Sequence, residues 1–216
     1  MNLIWSKDRS QGFTVLDLII VLATVVMVVL LLPIFASRST RPAARVRCIS
    51  NLKQVGLGFR LWAGDHGEKF PMSVSNVDGG TSGFLASNEV FHHFLIASNE
   101  MNTPRFLVCP RDNGRMQTTQ FTNFSNRNLS YFINLDAEAA NPQMILSGDR
   151  NISTNGRLIS GILRLTSKPP INWTPDLHVR CGNIGIADGS AQQSKDAPLM
   201  SQINSSTNMA ARVAIP

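Results

Sequence analysis

The sequence predicts an α+β protein. One long N-terminal helix, membrane-spanning in its first half and amphipathic in its second, packs on a small antiparallel sheet. Three observations carry that prediction. An uncharged, almost purely aliphatic run fills residues 18–36. An apolar stripe at helical spacing follows in residues 48–62. Beyond it, short apolar runs alternate with Gly, Asn, Ser and Pro, and an Asp188-Gly189 pair separates two of them. At 216 residues the chain suits one domain of ordinary size plus an appendage. Apolar residues make up 43% and charged residues 16%, which excludes a disordered or collagen-like chain. Lys+Arg 20 against Asp+Glu 14 gives a net charge of +6. A basic balance admits nucleic acid or phospholipid headgroups as partners, but the arginines are dispersed and nucleic acid is not predicted.

The elements follow in order. Residues 1–12 form a short polar flank with Lys7 and Arg9 against Asp8. From Phe13 to Ala36 the only charge is Asp17, and helix of that length spans roughly 36 Å. A bilayer core takes about 20 apolar residues, roughly 30 Å, so residues 13–36 read as a single membrane span. A carboxylate at the edge of such a span asks for a partner and a function. Pro33, late in the run, predicts a kink, because it removes an N–H and frees a carbonyl. Residues 37–65 then carry Arg38, Arg41, Arg45 and Arg47, followed by Cys48, Leu52, Val55, Phe59 and Trp62 at spacings of +4, +3, +4 and +3. That spacing is one face of a helix. Lys53, Gln54 and Arg60 fall off it, and Gly64, Gly67 and Pro71 end it.

The rest of the chain, residues 66–216, reads as a loop-rich globular head. Ser87-Asn88-Glu89 predicts the cap of a short helix through Ile96. Residues 106–108, 129–135, 144–146 and 183–187 read as strands. Asp188-Gly189 between two extended runs predicts a type I′ hairpin turn.

The run Gly12-Phe13-Thr14-Val15-Leu16-Asp17-Leu18-Ile19-Ile20 resembles the N-terminal signal of type IV pilins and type II secretion pseudopilins. The resemblance implies that residues 1–12 are a leader and that prepilin peptidase cuts between Gly12 and Phe13. It implies a methylated amine on Phe13, and an assembly role for Asp17, which neutralises the N-terminal ammonium of a neighbouring subunit. The family usually has Glu there; Asp is one methylene shorter. CISNLKQVGLGFRLWAGDHGEKFP is similar to a subgroup of pilin-like proteins common in Verrucomicrobia, Planctomycetes and Lentisphaerae. His178, Asn183, Asp188, Gly189 and Ser190 match that subgroup's later motif, and TNMAARVAIP resembles its ending. The subgroup often has both a helix cysteine and a Cys-Pro-x-Asp cysteine, which implies a disulfide between Cys48 and Cys109. The residues themselves leave Cys109 with Cys181 open.

The expected function is therefore a pilin-like structural subunit, inserted in the inner membrane with its leader cytoplasmic and its head periplasmic or extracellular. Its expected partners are prepilin peptidase, other pilin or pseudopilin subunits and the inner membrane. A membrane-anchored binding module not assembled into a fibre is the alternative. No catalytic residue, cofactor or metal is predicted. His178 with Cys181 lacks an orienting group for nucleophilic chemistry and reads as a loop histidine beside a half-buried thiol. His92 and His93 point different ways on a helix. Three cysteines are too few for a disulfide scaffold or a structural zinc site, and no Asp-rich loop suits calcium.

Overall fold

A computed structural model describes residues 14–36, 40–165, 171–195 and 211–216 of the chain. The leader, Gly12 and Phe13 lie outside the described residues. The chain divides after Thr40 into two compact units, and each is described by itself.

The first unit contains helix α1, Val15–Ala36. Thr14 caps it. The Asp17 amide donates to the Thr14 hydroxyl at 3.3 Å, while Asp17 Oδ2 accepts from the Thr14 amide at 2.9 Å and from its hydroxyl at 2.7 Å. This reciprocal capping box occupies amide groups that a helix start leaves without partners. Thr24 donates its hydroxyl to the Val21 carbonyl at 2.8 Å, so it adds no unpaired donor. The backbone stays helical past Pro33 to Ala36; the helix does not end at the proline, which sits in its last turn. Side chains are described along residues 14–31, and all of them are exposed. Among the described residues no helix is long and apolar enough to cross a membrane.

The second unit begins with helix α2, which the backbone enters at Thr40 and leaves at Asp65. Its stripe is buried as the spacing predicts: Cys48, Leu52, Val55 and Phe59 have no exposed surface and Trp62 has 3%, while Lys53 and Gln54 are exposed. The short helices α3, Phe91–Leu95, and α4, Ser98–Met101, follow. The strands are β1 Tyr131–Asn134, β2 Ile145–Asp149, β3 Ile152–Thr154, β4 Arg157–Leu158, β5 Gly161–Leu165, β6 Ile171–Trp173, β7 Gly182–Ile186, β8 Ala191–Ser194 and β9 Ala211–Ile215. Six of them form an antiparallel sheet in the order β5-β9-β1-β2-β7-β8, and β4-β3-β6 form a smaller antiparallel sheet.

Strand alternation builds two cores. Tyr131, Ile133, Leu146 and Ala214 meet the α2 stripe on one face, together with Phe70, Phe94 and Leu107. Phe132, Ile145, Ile184, Val213 and Ile215 pack on the other face with Ile152, Ile171 and Trp173 of the small sheet. The arrangement is helix on sheet on sheet, each element burying the apolar side its two-residue or 3.6-residue period creates.

Three local expectations are corrected. The short helix Phe91–Leu95 starts after Val90 without a side-chain cap; the Ser87 hydroxyl instead accepts the Glu89 amide at 3.0 Å. Residues 106–108 do not form a strand: a 3₁₀ turn runs over Pro104–Leu107. Pro104 fixes φ for such a turn and Thr103 accepts the Arg105 amide at 3.4 Å. The Asp188-Gly189 turn is not type I′, which needs positive φ at both central residues. Gly189 has φ +89° while Asp188 is not in the left-handed region. The Gly189 amide donates to the Ile186 carbonyl at 2.9 Å, and the Ile186 amide donates to the Ser190 carbonyl at 2.8 Å. Ala187 and Asp188 are thus the turn centre and Gly189 the left-handed residue after it. Asp188 Oδ1 accepts the Ser190 amide at 2.8 Å, which locks the loop.

This turn explains a glycine inside α2. A Cβ on Gly56 would stand 2.9 Å from Gly189 Cα and 3.2 Å from its carbonyl oxygen, so helix and hairpin touch backbone to backbone. A Cβ on Gly64 would meet nothing within 4 Å. Gly64→Ala is therefore expected to stabilise the head by about 0.5–1 kcal/mol through helix propensity. Gly56→Ala is expected to destabilise it by about 1–3 kcal/mol, because the overpacking outweighs the same gain. Urea unfolding of the two variants beside the wild type measures both signs.

Candidate functional site

The expected assembly residue Asp17 lies in the first turn of α1, held by Thr14 as described. The expected processing residues Gly12 and Phe13 lie outside the described residues. Cys48, Cys109 and His178 come together at α2, where the head places its most unusual polar chemistry.

Cys48, in the first half of α2, and Cys109, in the loop after the 3₁₀ turn, form a disulfide with a Cα–Cα distance of 5.4 Å. The alternative pairing of Cys109 with Cys181 is not formed; Cys181 is a free, buried cysteine, and its sulfur accepts from Gln193 Nε2 at 3.2 Å. Asn51, one turn beyond Cys48, ties the same two segments together. Its Nδ2 donates to the Val108 carbonyl at 3.3 Å and to the Tyr131 hydroxyl at 3.2 Å.

His178 departs from its expected surroundings. It lies in a loop as expected but is buried there, at 4% exposure, and its Nε2 faces not Cys181 but Cys109 Sγ, at 3.5 Å. Cys181 meets His178 only through the backbone, where its amide donates to the His178 carbonyl at 2.9 Å. The Cys181 thiol is also buried rather than half-buried. His92 and His93 do part company: His93 Nδ1 lies 2.8 Å from the Thr81 hydroxyl, and His92 Nε2 lies 3.3 Å from Glu89.

The same Nε2 of His178 is 3.4 Å from Asp149 Oδ2. Asp149 ends β2 and has no exposed surface. Its Oδ2 accepts from both the amide and the Nδ2 of Asn183 at 2.8 Å each. A second buried carboxylate, Asp112 of the Cys109-Pro110-Arg111-Asp112 run, receives both ends of the Arg150 guanidinium at 2.6 and 2.7 Å and the Ser130 hydroxyl at 2.8 Å. Asp112 is the acidic residue of the Cys-Pro-x-Asp run, whereas Asp149 does not stand out in the sequence. It ends β2 and is hydrogen-bonded to Asn183 of the matched motif.

The two carboxylates are held differently. Burial opposes ionisation of Asp112, but hydrogen bonds from Arg150 and Ser130 outweigh it and leave its pKa below the ordinary value. Asp149 lacks a guanidinium, and burial pushes it up to about 7 against the Asn183 hydrogen bonds. His178 is pushed down to about 4, first by burial and then by the Arg45 and Arg111 charges.

The signs give a specific pH profile. Asp149 holds its proton more tightly folded than unfolded, so its contribution is full below pH about 3.8 and is lost as pH rises through about 7. His178 resists protonation, so its contribution is full above about 6.5 and is lost as pH falls toward 4. Between about 4 and 6.5 the two slopes oppose. His93, also buried and pushed down to about 4, adds a second rising slope there, so Asp149→Asn is expected to steepen the rise in stability with pH across that window, and His178→Gln to flatten it. Urea midpoints from pH 4 to 8 check the prediction; parallel profiles for the two variants would contradict it.

No protein-family model, no curated protein and no solved structure matches this chain.

Proposed function

We propose that the chain is a pilin-like, pseudopilin-type structural subunit. Residues 13–36 insert in the inner membrane with the leader cytoplasmic and the head periplasmic or extracellular. After prepilin peptidase cleaves between Gly12 and Phe13, the subunit assembles with other pilin or pseudopilin subunits into a type II secretion or type IV pilus-like fibre. The observation that carries the reading is the division of labour along the N-terminal helices. α1 is aliphatic with one carboxylate, at its start, and all its described side chains are exposed. α2 lays a five-residue stripe into the core of an antiparallel head.

The chemistry of assembly follows from low dielectric. A terminal ammonium on Phe13 is costly in an apolar fibre interior unless a carboxylate is near. The Thr14 capping box presets the Asp17 carboxylate at the start of α1, which lowers the ordering cost of receiving a neighbour's charge. Function then lies in polymerisation rather than catalysis.

Asp17→Ala tests this role. The variant is expected to reach the membrane fraction in wild-type amount, since removing a charge favours insertion, and to be depleted severalfold from the sheared-fibre fraction. Wild-type recovery in fibres would exclude a charge-pairing role for Asp17. Absence of wild-type chain from any sheared or cross-linked assembly would favour the anchored binding module instead.

A further inference from the structure

We propose that the dithiol form of this chain binds one soft divalent cation, Zn²⁺, through Cys48 Sγ, Cys109 Sγ and His178 Nε2, with the buried Asp149 carboxylate beside the histidine as a compensating negative charge. The site is independent of the fibre reading. The two sulfurs and Nε2 all lie within 4.8 Å of one another and all three residues are buried. Tetrahedral zinc, with bonds of about 2.3 Å to sulfur and about 2.0 Å to nitrogen, sets such atoms roughly 3.5 Å apart. Cys109 Sγ and His178 Nε2 already stand 3.5 Å apart.

A second, independent observation points the same way. Asp149 has no exposed surface, its Oδ2 is anchored by Asn183 and lies 3.4 Å from the same Nε2, and its Oδ1 has no hydrogen-bond partner among the described residues. A buried carboxylate with an unpartnered oxygen is costly, and a cation on the neighbouring histidine offsets part of that cost. Two thiolates and an imidazole select zinc over the hard cations calcium and magnesium. A cleft of about 570 Å³ lined by Arg47, Asn51 and Cys109 opens beside one half of the disulfide. Mixed donors thus supply what three cysteines alone do not.

The chemistry balances. A dithiol reductant gives two electrons and two protons to the Cys48–Cys109 bond. The S–S bond breaks, two thiols form, and the reductant closes to its own disulfide. Zn²⁺ then displaces the two thiol protons to solvent. Ion and disulfide exclude each other, so a chain that meets zinc before an oxidant keeps its thiols.

The test uses the full chain in detergent micelles, reduced with a dithiol that is then removed without oxygen. Zn²⁺ alone is titrated against a chromophoric chelator, Co²⁺ is added in parallel, and circular dichroism is recorded throughout. One ion per reduced chain, none per oxidised chain, and a thiolate-to-cobalt charge-transfer band are expected. His178→Ala and Asp149→Asn should each weaken binding about tenfold or more. If reduction loosens the head, zinc should restore its circular dichroism. The proposal is overturned if reduced wild type binds no tighter than the Cys48→Ser/Cys109→Ser variant. It is equally overturned if His178→Ala binds like wild type, or if a loosened head stays loose with zinc.

Discussion

Leu52→Asp is expected to abolish cooperative folding of the head. Leu52 has no exposed surface and sits in the core shared by α2, Tyr131 and Leu146. Losing a buried leucine costs about 2–5 kcal/mol, and placing a carboxylate there without a partner adds several more. Native domains are stable by about 5–15 kcal/mol, so the sum reaches the whole margin. Lys53→Asp, one residue along and exposed, should change stability by about 0.5 kcal/mol or less. A chain beginning at residue 66 loses the stripe and one half of the disulfide together, and should show no cooperative melt. If that chain melted like the intact head, α2 would not belong to the core.

Replacing both Cys48 and Cys109 with Ala is expected to cost about 4 kcal/mol. The bond joins residues 61 apart in sequence, and closing a loop of that length removes roughly that much free energy from the unfolded chain. For a head of this size each kcal/mol moves the melting temperature by about 2–4 °C, so a fall of about 10 °C is expected. Reduced wild type without metal should melt close to the double variant. Equal melting of oxidised wild type and double variant would mean that the bond contributes nothing.

The α2 stripe was legible because a 3.6-residue period survives any tertiary context that buries one face. Cys48, Leu52, Val55, Phe59 and Trp62 announce themselves. The antiparallel head was legible in outline, through short apolar runs and a turn at Asp188-Gly189. What the residues themselves left open was long-range: whether Cys109 pairs with Cys48 or Cys181 depends on where the loop around Pro104–Leu107 lies against α2. The misread strand at residues 106–108 has the same origin, since three apolar residues fit a strand or a buried 3₁₀ turn equally well. His178 and Asp149 are 29 positions apart and meet only because β2 pairs with β7. Their proximity, and the pKa values that burial imposes on them, belong to the fold and not to any local pattern. Gly56 likewise reads as a weak point of a helix until Gly189 is placed against it.

The central claim is that the N-terminus is a processed pilin-type signal. Intact mass and N-terminal sequencing of the mature chain from membranes test it most directly. The account predicts a chain that starts at Phe13, carries a methylated amine, and is lost when Gly12→Val blocks cutting. A mature chain that starts at Met1, or after Ala36, would contradict it.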